Sequence, residues 1–209
     1  MKNHVFRIGD HLRADVDRWN SDYWGDLDDD WWRELVSQGR LYRSRIDIFL
    51  QYWLTMRTHE EVPAEQVSSH FQRYAKQHLV DLRGAETFLA ELRRDADTFR
   101  EFAQMSSETA RGRFYSMVIE SLQLGSTTPL LLWLISSNHR VPSEQIDRAL
   151  GAAESWVVRR MLLRRTTQGI NQAIVALLSH LDEAGAERAG DATIEFLGAQ
   201  TANTRSWPS

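Results

Sequence analysis

Cysteine is absent from the 209 residues of this chain. Its absence excludes disulfide bonds, thiolate catalysis, and zinc or iron–sulfur sites built on cysteine. Lysine is almost absent too, because only Lys2 and Lys76 stand among the 25 basic residues. Arginine, which supplies the rest, binds carboxylates and phosphates through paired hydrogen bonds. A bias in genome composition explains the same preference, so arginine content alone assigns no ligand.

Long apolar runs are also missing. The longest, residues 129–135, is far shorter than the ~20 residues that a membrane-spanning helix needs. The N-terminal residues lack the apolar core of a secretory signal peptide, so we expect a cytoplasmic protein. The net charge of −4 does not by itself require a nucleic-acid partner.

Apolar residues recur at helical spacing along almost the whole chain. Ile46, Phe49, Leu50, Trp53 and Leu54 follow the spacing of one helix face. Further stripes or apolar segments of this kind run through residues 67–78, 88–103, 114–122, 130–135, 146–161, 170–181 and 194–197. No segment shows a convincing alternation of a β-strand. The pattern therefore predicts an all-α fold, an irregular bundle of about eight to ten helices.

Two segments of the sequence echo each other. Trp53-Leu54 is followed by His59 and then by Val-Pro-Ala-Glu-Gln-Val, and Trp133-Leu134 is followed by His139 and then by Val-Pro-Ser-Glu-Gln-Ile. Each predicts a helix, a short turn and a new helix with proline at its start. A duplicated helical hairpin is one interpretation, and convergent helix-start chemistry is the other. We divide the chain into an N-terminal helical part (1–125), a C-terminal helical part (126–200) and a tail (201–209).

The sequence contains none of the common catalytic or nucleotide-binding motifs. A phosphate-binding glycine loop, a dinucleotide glycine motif, a His-Glu-x-x-His helix and a serine-hydrolase elbow are all missing. The seven histidines do not form metal-ligand spacings with carboxylates, and no acid–base pair stands out. Asp28, Asp29 and Asp30 suit either the start of a helix or a divalent cation, and we favour helix capping. We expect no catalytic residue, metal or cofactor in this chain.

Two arginine-rich segments are the candidate interdomain or phosphate-contacting sites. The first contains Arg40, Arg43 and Arg45, just before the first strong helix. The second flanks Met161-Leu162-Leu163 and contains Arg159, Arg160, Arg164 and Arg165. On a continuous helix, residues 160 and 164 share a face, as do 161 and 165. These side chains could contact phosphates, or some of them could pair with Glu154 and other carboxylates at a domain junction.

Several short stretches resemble a known family. Residues 154–160 (Glu-Ser-Trp-Val-Val-Arg-Arg), followed by Thr167 and Gly169-Ile170-Asn171, resemble a motif of the GmrSD-type restriction proteins. Residues 2–6, residues 45–54 and the Ser-Trp-Pro at 206–208 resemble three further family segments in the same order. The motifs extend over the whole chain, and each is degenerate. The Leu-Leu-Arg-Arg at 162–165 departs from the small-residue turn that often follows the double arginine.

The resemblance implies a role for this chain as the helical middle of a modification-dependent restriction or anti-phage protein. Such proteins couple a nucleotide-sensing ParB-like domain to an HNH nuclease domain, and motifs of neither domain occur here. The implied partners are those two flanking domains, and the implied role is a non-catalytic linker within a parent NTP-dependent endonuclease. Asn171 joins the arginines as a candidate interdomain residue.

Two other functions stay open on the sequence. The arginine segments could bind DNA directly, which would make affinity fall steeply with salt. Alternatively, surface tryptophans such as Trp31, Trp32 and Trp207 could form a homo-oligomer interface, because tryptophan is frequent at the energetic centre of interfaces.

Overall fold

The computed structural model describes residues 1–38, 41–164 and 168–202 of the chain. Within these ranges it contains eleven α-helices and one hairpin of two short strands, which confirms the predicted all-α class. The chain divides into two compact units, Met1–Arg100 and Glu101–Ser209. None of the described helices is long and apolar enough to cross a lipid bilayer.

The first unit begins with short helices and continues through the hairpin into three longer helices. Its helices and strands are α1 (Lys2–His11), α2 (Val16–Trp19), α3 (Asp30–Arg33), β1 (Leu35–Gln38), β2 (Leu41–Ser44), α4 (Arg45–Thr58), α5 (Val67–His78) and α6 (Leu82–Glu101). A π-helical turn (Asn20–Trp24) and a 3₁₀ turn (Gly25–Asp28) join α2 to α3, and a 3₁₀ turn (Ala64–Gln66) precedes α5.

The core of the first unit forms around α4. This helix buries residues on most of its circumference, including Phe49 and Trp53, both at 0% exposure. Phe49 packs in a tilted contact against Trp32, with ring centroids 5.5 Å apart. Trp53 makes edge-to-face contacts with Tyr74 of α5 and Phe88 of α6, at 5.5 and 5.6 Å. Such aromatic pairs add to the hydrophobic free energy of burial, so they fix α5 and α6 against α4.

The hairpin is a feature that the sequence analysis missed. β1 and β2 pair antiparallel, with Leu35 opposite Ser44 and Gln38 opposite Leu41. Leu35, Leu41 and Tyr42 are exposed at 64%, 59% and 73%. Since neither face of the hairpin is fully buried, the residues carry no apolar–polar alternation for a pattern search to find. The only local signal is a glycine directly after β1 in the sequence, a residue common in hairpin turns.

The second unit contains one wholly buried helix and two long amphipathic ones. Its helices are α7 (Ala110–Phe114), α8 (Thr128–Ile135), α9 (Ser143–Leu162), α10 (Gln168–Ala184) and α11 (Ala189–Ala202). 3₁₀ turns occupy Phe102–Gln104, Gly125–Thr127 and Ala186–Arg188, and a π-helical segment, Tyr115–Ser121, continues α7.

Packing in the second unit centres on α8, α9 and α11. The run Leu130 to Leu134 in α8 is buried throughout, as its unbroken apolar sequence predicts. The side-chain carbonyl of Gln145 in α9 accepts hydrogen bonds from the backbone N–H groups of Gly190 and Asp191 in α11, at 2.8 and 3.3 Å. Arg148 also pairs with Asp191. These contacts hold the first turns of α9 and α11 side by side.

The division into units differs from the predicted boundary between residues 125 and 126. Residues 101–125 belong to the second unit, where α7 packs against α9 and Arg113 pairs with Glu154. The predicted boundary falls at Gly125, in the 3₁₀ turn Gly125–Thr127 that precedes α8. That boundary is a turn inside one unit.

Both echoing segments form a helix, a turn and a new helix. In the first, α4 leads past His59 to Pro63 and α5, and in the second, α8 leads past His139 to Pro142 and α9. The two tryptophans of the echo share a further property. Trp53 donates its indole N–H to Asp95 at 2.9 Å, and Trp133 donates its own to Asp182 at 2.7 Å. The resemblance between the two segments thus extends to a long-range side-chain contact.

Candidate functional site

A charged cluster lies between α4, α5 and α6 in the first unit. Arg57 of α4 donates from Nη2 to the carboxylate of Glu91 and from Nε to the hydroxyl of Tyr74, at 3.3 Å for the second bond. Its guanidinium also lies 5.7 Å from the ring centroid of Trp53. The bonds to Glu91 and Tyr74 each join two different helices. The sequence analysis did not single out Arg57, because its partners are far away along the chain.

Asp95 is the buried member of this cluster. It is 0% exposed and accepts the indole N–H of Trp53. Burial lowers the pKa of Arg57, but interactions with Tyr74, Glu91 and Asp95 outweigh burial and hold that pKa above its ordinary value. Arg57 therefore keeps its charge, which suits a structural ion network. A signal was present in the sequence: Asp95 lies three residues after Leu92 and four before Phe99, on an apolar helix face.

A cleft of about 460 Å³ opens beside the cluster. It is bordered by Arg57, Glu91 and Phe88, by His78 at the end of α5, and by Asp81 before α6. The ring of His78 packs on that of Tyr74, with centroids 4.0 Å apart. Arg57 and Glu91 pair with each other, and Asp81 caps α6 by accepting from the N–H of Gly84 at 2.7 Å. The Arg57–Glu91 pair therefore joins α4 to α6, and Asp81 stabilises the start of α6.

The three consecutive aspartates serve as a helix cap and as ion-pair partners. Asp29 accepts from the N–H of Trp32 at 3.1 Å and pairs with Arg100 at 2.7 Å. Partial burial raises the pKa of Asp29, but the hydrogen bonds from Arg100 and from Trp32 outweigh it and lower that pKa. Asp28 pairs with Arg33 at 2.8 Å, a contact that lowers its pKa. Among the described residues, no group of three or more carboxylate or imidazole side chains could hold a metal ion.

The described arginines of the first segment form hydrogen bonds with residues of the first unit. Arg43 of β2 donates to the side chain of Gln51 and to the carbonyl of Asp47, the latter at 3.2 Å. Arg45 donates to the carbonyl of Trp31 at 3.2 Å and to the carboxylate of Glu34. Both side chains thus brace the hairpin and α3 against α4. Arg40, the third residue of this segment, lies outside the described residues.

The three tryptophans predicted to lie on the surface differ in their positions. Trp32 is 1% exposed and belongs to the core, so its place on a surface was wrong. Trp31 is partly buried, with the guanidinium groups of Arg45 and Arg100 at 4.7 and 5.0 Å from its ring centroid. This double cation–π contact explains its position near the surface without a partner molecule. Trp207 lies outside the described residues.

In the second arginine segment, Arg160 is an internal side chain. Its guanidinium lies 4.9 Å from the ring centroid of Trp156, one helical turn earlier in α9. It also reaches the start of α10, where a Cβ added to Gly169 would lie 2.7 Å from Nη2. Asn171 is partly buried in the same helix, α10. Arg160 therefore lies between Trp156 of α9 and Gly169 of α10.

The remaining residues of this segment form an exposed surface, which we call the α9-end surface: Arg159, Met161, Leu162, Leu163 and Arg164. The three apolar side chains are 40%, 77% and 54% exposed, in chain order. Arg159 donates to the carbonyl of Ser155, at 3.1 Å. Within the described ranges neither Arg159 nor Arg164 pairs with a carboxylate. Glu154, the nearest acidic residue along the chain, pairs instead with Arg113 at 3.3 Å.

The expected common face of residues 160 and 164 does not form. The helix α9 ends at Leu162, and Arg164 adopts a left-handed conformation with φ 52°. Residues beyond a helix end leave the helical repeat, so a spacing of four no longer places side chains together. Arg165, which was expected to share a face with Met161, lies outside the described residues.

Comparisons with known family models, with curated proteins and with solved structures found no match. The resemblance to GmrSD-type restriction proteins therefore stays a prediction from the sequence. The contacts within each unit nevertheless show how its charged side chains are used.

Proposed function

We propose that this chain is a non-catalytic helical scaffold that holds other protein parts in a defined relation. The specific setting that we propose is the middle of a modification-dependent restriction protein, between a ParB-like nucleotide-sensing domain and an HNH nuclease domain. The resemblance of the double-arginine segment and its flanking motifs supports that setting. The geometry supports the scaffold role independently of it.

One observation carries the scaffold proposal: the charged groups that could do chemistry are used to join helices. Arg57 joins α4 to α5 and α6, and Trp53 joins α4 to α6 through Asp95. Arg93 of α6 pairs with Asp26 ahead of α3, at 2.7 Å. Catalytic groups instead need to face a substrate with their protonation state adjustable. Side chains fixed in ion pairs inside a unit are suited to holding shape.

The first test is enzymatic and uses the purified 209-residue chain. We expect no hydrolysis of nucleoside triphosphates and no cleavage of modified or unmodified DNA in the presence of Mg²⁺. In a second arm, a ParB-like and an HNH polypeptide from the proposed restriction system are added, and calorimetric titration measures whether the chain binds both at once.

Turnover that scales with the chain concentration and survives repurification would contradict the proposal. Failure to bind either polypeptide would remove the restriction setting, while the absence of catalysis would still agree with a scaffold. A mock purification from cells that do not express the chain is the control for contaminating nucleases.

Direct nucleic-acid binding is the second candidate function, and one observation favours it. Arg159 and Arg164 are exposed, with no carboxylate partner in the described part of the chain. If both neutralise phosphates, the slope of log affinity for duplex DNA against log salt is about −2. The double variant Arg159→Gln/Arg164→Gln should then lose that dependence, as measured by fluorescence anisotropy with labelled duplex DNA. An unchanged slope in the variant would remove these residues from any DNA contact.

A further inference from the structure

The α9-end surface combines exposed apolar side chains with exposed arginines. It exposes three consecutive large apolar side chains, with Leu162 the most exposed at 77%. It also exposes two guanidinium groups, Arg159 and Arg164, that no described carboxylate neutralises. On α9, Arg159 and Leu162 are three residues apart and share a helix face. Cation and apolar group are therefore presented in the same direction.

Three other arginines of the second unit contrast with this pair. Arg113 pairs with Glu154, Arg148 with Asp191 and Arg188 with Glu195. In those cases the sequence supplies a carboxylate within the same unit. At the α9-end surface the complementary charge is not supplied from the described part of the unit, so an incoming acidic group would complete the pairing.

Resting on the proposed scaffold function, we infer that the α9-end surface is the docking site for an acidic amphipathic segment of a partner protein. The segment supplies carboxylates for Arg159 and Arg164 and apolar side chains for Leu162 and Leu163. A helix whose apolar residues are flanked by aspartate or glutamate has this chemistry.

The exposed leucines favour a protein partner over a nucleic acid. DNA and RNA contacts are made mainly by cationic and polar side chains to phosphates and base edges, and interfaces with DNA are more polar than those between proteins. A membrane surface is also disfavoured, because recognition of anionic lipid typically involves clusters of about 4–8 basic residues. The described part of this surface presents two arginines. A protein interface would bury the leucines and pair the arginines, so it accounts for both features of the α9-end surface.

The experiment selects ligands without presupposing their sequence. A phage-displayed library of random peptides is panned on the purified chain, and peptides that also bind the triple variant Arg159→Gln/Leu162→Ser/Arg164→Gln are discarded. We expect the retained peptides to carry net negative charge and at least two large apolar residues at helical spacing. A selected peptide is then titrated by fluorescence anisotropy.

The titration uses matched variants. Arg159→Gln/Arg164→Gln should weaken binding of the selected peptide about tenfold, since two exposed charge pairs are lost. Leu162→Ser should weaken it by a similar factor through lost apolar burial. Arg140→Gln is the control, because Arg140 is exposed just before α9 and, like Arg164, is left-handed, with φ 53°. It should leave the affinity unchanged.

Several results would overturn the inference. The retained peptides could lack acidic residues, or no peptide could be retained after the counter-selection. Arg140→Gln could also weaken peptide binding as much as Arg159→Gln/Arg164→Gln does. Duplex DNA and phosphatidylserine vesicles are tested as well. If either binds the wild type but not the triple variant, the surface is a site for that ligand instead. None of these results concerns catalysis by the chain, so the enzymatic test of the scaffold function stands or fails separately.

Discussion

Replacing Asp95 with alanine is expected to lower the free energy of unfolding of the first unit by about 3–5 kcal/mol. The carboxylate is fully buried and accepts the indole N–H of Trp53, and it also acts electrostatically on Arg57. Alanine would leave the buried indole N–H of Trp53 without an acceptor. It would also remove one of the negative charges that stabilise the largely buried Arg57. Urea denaturation followed by tryptophan fluorescence and by far-ultraviolet circular dichroism measures the loss.

Two companions make the Asp95 result specific. Asp95→Asn keeps the size and an acceptor for the indole, so its loss should be smaller than that of alanine. Asp97→Ala removes an aspartate from the same helix, but Asp97 is 49% exposed and pairs with Arg93 at 3.0 Å. Exposed pairs contribute at most about 1 kcal/mol. If Asp95→Ala and Asp97→Ala lower the free energy of unfolding equally, the buried cluster contributes no more to stability than an exposed ion pair.

Replacing Gly112 with alanine is expected to destabilise the second unit by more than about 3 kcal/mol, at or beyond the upper end of typical overpacking costs. A Cβ at this position would lie 2.1 Å from the carbonyl oxygen of Ser106 and 2.8 Å from that of Met105. Both are backbone atoms, which cannot rotate away as a side chain can. The N–H of Gly112 also donates to the Thr109 hydroxyl at 3.1 Å, so the cap of α7 would shift with it.

Gly151 provides the opposite result in the same unit. It is exposed in the interior of α9, and a Cβ there would meet nothing within 4 Å. Gly151→Ala should therefore stabilise the unit by about 0.4–1 kcal/mol, because alanine loses less backbone entropy on folding. Chemical denaturation of the two variants side by side tests the pair. Stabilisation by Gly112→Ala would contradict the first prediction, and destabilisation by Gly151→Ala would contradict the second.

The helices were predictable because a helix that is buried on one face has apolar residues at regular helical spacing in the sequence. The stripe of α9 is buried as expected from Ile146 to Val157, whereas its last member, Met161, is 40% exposed. Pro142 precedes α9 directly, in agreement with the preference of proline for the start of a helix. These features depend on neighbours within two turns, which a sequence displays directly.

The features that escaped prediction depend on distant neighbours or on the surface. The adjacent residues Arg159 and Arg160 look alike in the sequence, yet one is exposed and the other packs on Trp156. The Arg160 guanidinium also reaches Gly169 at the start of α10, a neighbour that the spacing of residues within α9 does not specify. Likewise, Asp95 gains its role from Trp53, 42 residues away, and no short-range pattern encodes such a pairing.

The paired indole bonds have a practical consequence for studying folding. Trp53 bonded to Asp95 lies within Met1–Arg100, and Trp133 bonded to Asp182 lies within Glu101–Ser209. An indole proton held by a carboxylate exchanges slowly with solvent until its surroundings open. Magnetic resonance of these two protons in heavy water would therefore follow each half separately, without labels, and would reveal whether the halves melt as one body or in sequence.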